Sequence, residues 1–117
     1  MGGGTGTSGL EKKAFLRLKS ETQKLEFELG GKPAYTIGRE KECDIQLGQL
    51  LLGGEVSRKH AEITRSEDWV YQIKDLGSKN GTYVGKEKIG DSYHSLKNGD
   101  KITFGKHISF EFIQGLN

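Results

Sequence analysis

Three short segments of the sequence combine glycine with side chains that donate hydrogen bonds at the predicted ends of strands. They are IGREKE, VSRKH and GSKNGT. Guanidinium, hydroxyl, ammonium and carboxamide groups are suited to binding phosphate and peptide main chain. Taken singly, each segment is more typical of a solvated turn, because turns carry such residues in most proteins. Their value as a site depends on whether the fold brings them together.

Other kinds of chemistry are not indicated. The histidines His60, His94 and His107 are widely spaced, and Cys43 is the single cysteine, whereas zinc ligands cluster at short spacings. Ser57 lacks the Gly-x-Ser-x-Gly turn of a nucleophile, and no acid partner can be identified. The stretch GTYVGKE lacks the spacing and the hydroxyl residue of a nucleotide phosphate loop. We therefore expect no catalytic residue, no metal and no cofactor.

Composition favours one small intracellular domain. The chain has 117 residues, 32% of them apolar, which is enough to bury a hydrophobic core. Its net charge of only +2 disfavours general nucleic-acid binding. A lone cysteine excludes an internal disulfide and fits a reducing compartment. No apolar run is long enough to span a membrane, and no signal peptide opens the chain. We expect no membrane contact and a monomeric isolated domain.

Period-two alternation predicts short β-strands along most of the chain. AFLRLKS, KLEFEL and HISFEFI alternate apolar and polar residues, and 18 glycines supply frequent turns. About ten or eleven strands without an amphipathic helix predict a β-sandwich or a small barrel. The low-complexity start suggests a flexible tail or cloning remnant over residues 1–11. The domain is then assigned to residues 12–114, and residues 115–117 form the C-terminal end.

The motifs, read in order, resemble those of a forkhead-associated (FHA) domain. YTIGR, CDIQL, VSRKHAEI, DLGSKNGTYV and LKNGDKITFG follow one another with the family's spacing over nearly the whole chain outside the tail. The resemblance implies an all-β fold, an eleven-stranded β-sandwich of two antiparallel sheets of the FHA/SMAD-like type. It also implies a site built from loops at one end, which binds phosphothreonine-containing proteins or peptides and performs no catalysis.

The resemblance also implies roles for individual site residues. Arg39 and Ser57 match the residues that contact phosphate, and Arg58 and Lys79 are further phosphate-binding candidates. Asn80 matches the residue that binds the peptide backbone. A phosphate with about −1.5 to −2 charges and three acceptor oxygens requires these groups in a local positive field.

A second set of residues is expected to support the site. By the same resemblance, His60 is a structural residue that holds the site loop, and Gly38 and Gly81 serve close turns. Thr82 is expected to be structural as well. The imidazole is therefore not expected to be a ligand.

The stretch GQLLLGGE departs from the usual family pattern, which is shorter and polar. Its leucines, Leu50–Leu52, are either buried under the loop or exposed as an apolar contact patch. Glu55 and Lys59 are specificity candidates, and Glu55 would favour a basic side chain three residues after the phosphothreonine. The alternative function is a phosphate-independent FHA-fold scaffold or dimerisation module.

Overall fold

Two β-sheets face one another in the computed structural model, which describes residues 13–50 and 52–115. The strands are β1 (Ala14–Leu18), β2 (Glu26–Leu29), β3 (Ala34–Gly38), β4 (Ile45–Gln46), β5 (Ala61–Arg65), β6 (Tyr71–Asp75), β7 (Thr82–Val84), β8 (Glu87–Ile89), β9 (His94–Ser95), β10 (Lys101–Phe104) and β11 (Ile108–Gln114). The six-stranded sheet has the order β2-β1-β11-β10-β7-β8, and the five-stranded sheet β4-β3-β5-β6-β9. A single turn of 3-10 helix, Gly53–Glu55, lies in the described residues between β4 and β5.

The predicted all-β sandwich of eleven strands is confirmed. One strand pair differs from the expected antiparallel arrangement, because β3 and β4 run parallel, with Ile37 opposite Ile45. The loop over residues 39–44 joins the two strands, and it is shorter than the dozen or more residues that usually connect a parallel pair, because only two residues of each strand are paired. The remaining strand pairs in the described part of the chain are antiparallel.

Alternate side chains of both sheets fill the space between them. Phe104 lies against Phe110, with ring centroids 6.0 Å apart, and Tyr71 meets Phe112 at 5.5 Å. Burying side chains of this size contributes about 1.5–3 kcal/mol each. The fully buried members of the core also include aliphatic residues from both sheets: Leu16, Leu29, Ile37, Ile63, Ile73 and Ile102. This packing fixes the two sheets relative to each other.

The strand register brings three loops to one end of the sandwich. Ile37 near the end of β3 lies opposite Ala61 at the start of β5, and Ala61 lies opposite Asp75 at the end of β6. In the other sheet, Thr82 at the start of β7 lies opposite Phe104 at the end of β10. The loops that contain the three candidate segments therefore leave the strands on the same side.

The described strands all lie within residues 12–114, the range predicted for the domain. The strands extend from Ala14 to Gln114, whereas the predicted tail over residues 1–11 lies outside the described residues. Across the part that is described, no helix is long and apolar enough to cross a membrane. The same part contains no group of three or more histidine, cysteine, aspartate or glutamate side chains placed to hold a metal ion.

Candidate functional site

The segment of residues 55–60 lies between the two other candidate loops and is hydrogen-bonded to both. The Arg39 amide donates to the Ser57 carbonyl at 3.0 Å, which joins this segment to the loop after β3. The Lys79 amide donates to Ser57 Oγ at 2.9 Å, which joins it to the loop before β7. Ser57 is thus the point at which the three segments predicted from the sequence meet.

The Arg39 side chain is exposed, but a hydrogen bond at Nε fixes one edge of its guanidinium group. Its Nε donates to the Val56 carbonyl at 3.1 Å, and its terminal nitrogens have no partner among the described residues. A guanidinium fixed in this way keeps two parallel N–H donors available for an anion. Arg39 therefore brings a preoriented fork to the edge of the 55–60 segment.

Asn80 is anchored from the opposite side of the same segment. Its Nδ2 donates to the Glu55 carbonyl at 2.9 Å, and its side chain is half-buried. This bond fixes the plane of the carboxamide, so that Oδ1 remains an acceptor in a defined position. The contact places Asn80 and Arg39 on two flanks of one loop.

The remaining cations of the predicted site surround Ser57. Arg58, Lys59 and Lys79 are exposed, and none of them forms an ion pair with another described residue. The positive charge at this end of the domain is therefore local, since the whole chain carries only +2.

His60 is fully buried beneath the loops, with 0% of its surface exposed. The Ser57 amide donates to Nδ1 at 3.0 Å, which makes Nδ1 the acceptor. Nε2 consequently carries the hydrogen and donates to the Gly81 carbonyl at 2.7 Å. Burial lowers the pKa of His60 below its ordinary value. The imidazole is neutral, and both of its nitrogens are used to join two loops.

Asp75 is a supporting residue that the sequence analysis missed. Its Oδ1 accepts hydrogen bonds from Ser78 Oγ at 2.5 Å and Thr82 Oγ1 at 2.7 Å, and its Oδ2 accepts the amides of Gly77 and Ser78. Burial raises the pKa of Asp75, but the hydrogen bonds from Ser78 and Thr82 outweigh it and lower the pKa overall. The signal was present in DLGS, because an aspartate two residues before a glycine is typical of a turn capped by its side chain.

Gly38 and Gly81 differ in what they do. Gly81 has a φ of +91°, as expected in a close turn. Gly38 instead ends β3, where an added Cβ would lie 2.0 Å from the Arg58 carbonyl oxygen. It is thus required for a close approach of two backbones and not for a turn. The same carbonyl accepts the Cys43 thiol at 3.2 Å, and burial raises the pKa of that thiol, which keeps it a donor.

The Glu55 side chain is engaged with the turn between β10 and β11. Its Oε2 lies 2.7 Å from His107 Nδ1, and its Oε1 accepts the amides of Lys106 and His107. The hydrogen bond from His107 is the main cause that lowers the pKa of Glu55. A contact between this carboxylate and a bound peptide stays a prediction.

The two described leucines of GQLLLGGE have different environments. Leu50 is buried, with 8% of its surface exposed, and belongs to the core. Leu52 is 50% exposed, and Leu51 lies outside the described residues. Of the two predicted alternatives, burial therefore applies to Leu50 and exposure to Leu52.

Replacing Gly38 should test the close approach beneath the site. Gly38→Ala forces the new methyl group against the Arg58 carbonyl and should lower the free energy of unfolding by about 1–3 kcal/mol. Gly90→Ala is the matched control, because a Cβ there meets nothing within 4 Å. Urea unfolding of both variants measures the difference, and equal stabilities would contradict the described packing.

The neutral state of His60 can be measured directly. NMR titration of the imidazoles should give a His60 midpoint below its ordinary value of about 6.5. Because the unfolded chain then binds a proton more readily, the His60 contribution to the unfolding free energy should fall as the pH decreases through that value. A His60 midpoint above 6.5 would show that the ring is not the neutral brace described.

Comparisons with known proteins agree with this geometry. The family model described as FHA domain matches residues 35–105. The chain is 39% identical over 84 residues to an oxoglutarate dehydrogenase inhibitor of Corynebacterium diphtheriae, covering 72% of this chain and 53% of that protein. It is 40% identical over 74 residues to the glycogen accumulation regulator GarA of Mycolicibacterium smegmatis, covering 63% and 42%. The chain thus spans about half the length of these relatives.

The fold is also similar to that of solved structures. An FHA domain from a structural and functional analysis of phosphothreonine-dependent FHA domain interactions aligns with a TM-score of 0.75 and 26% identity. That alignment covers 90% of this chain and 99% of the other. The family match includes all three loops that meet at Ser57. The chain belongs to the FHA domain family.

Proposed function

We propose that this FHA domain is a phosphothreonine-dependent protein-interaction module, with its binding site at the loops around Ser57. The observation that carries the proposal is the hydrogen bonding of the 55–60 segment to both neighbouring loops. This bonding concentrates the predicted ligand-binding groups at one end of the sandwich. The FHA domain solved in the study of phosphothreonine-dependent interactions supports the choice of ligand.

Ser57 and Arg39 provide complementary donors for a phosphate. Since Ser57 Oγ accepts the Lys79 amide, its own hydrogen is left to donate to a phosphate oxygen. Arg39 adds a guanidinium fork whose Nε edge is already fixed by Val56. Charge-assisted bonds of this kind are about twice as strong as neutral ones. We assign Arg39 and Ser57 as the main phosphate ligands.

The flanking residues complete the site. Arg58 and Lys79 are exposed beside Ser57 and add positive charge for a dianionic phosphate. Asn80 donates through Nδ2 to Glu55, so its Oδ1 is available to accept a main-chain N–H of the peptide. This arrangement would orient the peptide as well as hold its phosphate.

Binding without catalysis is the activity that these groups support. His60 is the nearest candidate base in the sequence, yet both its nitrogens are engaged and it is buried. A general base must reach the proton that it removes, and His60 has no free nitrogen to do so. The names of the relatives, an inhibitor and a regulator, are consistent with a protein that acts by binding.

A phosphate-independent scaffold is the second candidate function. The exposure of Leu52, at 50%, is the observation that favours it, because exposed apolar patches often mark interfaces. The two functions differ in whether the phosphate is required, and one set of binding measurements separates them.

Removing the Arg39 side chain should abolish most of the phosphopeptide affinity. Arg39→Ala should weaken binding of a phosphothreonine peptide by roughly 2–5 kcal/mol, because it leaves the bound phosphate without its fork. Lys86→Ala is the control, since Lys86 is an exposed cation in the turn after β7, at the far end of that strand. Calorimetry with the phosphorylated peptide measures both.

The unphosphorylated form of the same peptide completes the comparison. It should bind the unchanged domain at least as weakly as the phosphopeptide binds Arg39→Ala. Equal affinity for the two peptides, together with an Arg39→Ala variant that binds normally, would contradict the proposal and favour the scaffold.

A further inference from the structure

The carboxylate of Glu55 is bound on both oxygens by the β10–β11 turn, residues 105–107. Its Oε1 accepts the amides of Lys106 at 3.2 Å and of His107 at 3.0 Å. Its Oε2 lies 2.7 Å from His107 Nδ1. The turn therefore holds the Glu55 side chain through three hydrogen bonds, two of which come from main-chain amides.

The main chain of the same residue holds Asn80. The Glu55 carbonyl accepts Asn80 Nδ2 at 2.9 Å, and this bond fixes the plane of the carboxamide. The Glu55 amide donates to the Leu52 carbonyl at 3.0 Å, which restrains residue 55 from the other side. Because the carboxylate and the carbonyl belong to one residue, the bonds that hold the carboxylate also limit where the acceptor of Asn80 can lie.

Gly105 allows the turn to approach Glu55 closely. A Cβ on Gly105 would lie 3.1 Å from the Glu55 carbonyl oxygen and 3.3 Å from Glu55 Cβ. The Gly105 amide also donates to the Gly81 carbonyl at 2.8 Å, and Gly81 directly follows Asn80. The β10–β11 turn thus contacts Glu55 on one side of the Asn80–Glu55 hydrogen bond and the neighbour of Asn80 on the other.

The charge of Glu55 makes it an unfavourable ligand for phosphate. Glu55 lies two residues before Ser57, and a carboxylate close to a dianionic phosphate repels it. The hydrogen bond from His107 is the main cause that lowers the pKa of Glu55, which keeps the side chain ionised at neutral pH. An ionised acid at this position is therefore explained by its bonds to the turn and not by contact with the phosphate.

We propose that Glu55 is a positioning residue for peptide binding, which holds the Asn80 carboxamide in the orientation that presents Oδ1 to the peptide main chain. His107 and the amides of the β10–β11 turn fix Glu55. The inference rests on the proposed function, because Asn80 needs this orientation only if it binds a peptide. It adds a fourth segment, the β10–β11 turn, to the three that meet at Ser57.

Replacing Glu55 by alanine tests the proposal with a phosphothreonine peptide whose other residues are uncharged. Such a peptide offers Glu55 no cation, so a direct ion pair cannot contribute. In calorimetry, Glu55→Ala should weaken binding about threefold to tenfold, the scale of one hydrogen bond, whereas relief of repulsion alone would tighten it. Glu87→Ala is the control, because Glu87 is an exposed acid opposite Val84, at the end of β7 that points away from the site.

A double-mutant cycle identifies Asn80 as the route. Asn80→Ala should weaken binding of the same peptide. Adding Glu55→Ala to that variant should change the affinity by less than about twofold, because the carboxamide that Glu55 holds is then absent. Fully additive losses would show that Glu55 acts through another group and would overturn the proposal.

The conservative variant Glu55→Gln distinguishes positioning from loss of folding. Its Oε1 can accept both amides of the turn, and its Nε2 can donate to the bare Nδ1 of a neutral imidazole but not to a protonated one. Histidine changes its charge between about pH 5 and 8. The variant should therefore bind as the unchanged domain does at about pH 8, and about threefold more weakly than it at about pH 5.5.

The ratio of the two affinities at each pH removes the titration of the phosphate and of the other histidines, which both proteins share. Among the described residues, the charged groups around His107 are Glu55, Lys106 in the same turn, and Lys19, which lines one cavity with His107. Both lysines are present in both proteins. An unpaired His107 cation would strengthen phosphate binding, so a simple charge effect has the opposite sign.

The outcomes separate this proposal from the proposed function. Unchanged or tighter binding by Glu55→Ala, with phosphate dependence intact, overturns the proposal alone. A Glu55→Gln affinity ratio that does not fall at low pH does the same. Equal binding of the phosphorylated and unphosphorylated peptides by the unchanged domain contradicts the proposed function, and the positioning role with it.

Discussion

The hydrogen bonds of one buried imidazole hold together the two loops on which the site depends. His60 accepts the Ser57 amide and donates to the Gly81 carbonyl. Ser57 precedes a strand of the five-stranded sheet, and Gly81 precedes a strand of the six-stranded sheet. Leaving the Ser57 amide or the Gly81 carbonyl without its partner would lower the free energy of unfolding by about 1–3 kcal/mol. The separation of the two loops is therefore set inside the core, next to the ring of Phe104.

The carboxylates of Asp75 and Glu55 fix the turns on either side of these two loops. Asp75, at the end of β6, fixes the turn that leads to Asn80 by accepting four hydrogen bonds, three from that turn and one from Thr82 at the start of β7. Glu55 fastens the opposite side to the β10–β11 turn through His107. The cations of the site are therefore exposed, whereas the loops are held by neutral His60 and by the hydrogen-bonded carboxylates of Asp75 and Glu55. For the proposed phosphopeptide, groups that are already held in place lower the cost of binding.

The sequence allowed the fold and the convergence of the loops to be predicted, but not how the loops are supported. Period-two alternation identifies strands because it reports which face is buried. The two-sheet sandwich with its site loops at one end came from the resemblance of the ordered motifs to the FHA family, whereas the strand order within each sheet was not predicted. The role of Gly38 could not be read in this way, because its contact with the Arg58 carbonyl depends on two strands approaching in space. Glu55 illustrates the same limit, since its partner His107 is distant in sequence.

An NMR titration with a phosphothreonine peptide and its unphosphorylated form tests whether the loops around Ser57 bind phosphate. The phosphorylated peptide should shift the signals of the proposed site residues and leave those of the outer sheet faces unchanged; the site residues are Arg39, Ser57, Arg58, Lys79 and Asn80. The unphosphorylated peptide should leave the same signals in place. Shifts that are the same for both peptides, or that lie on a sheet face away from these loops, would contradict it.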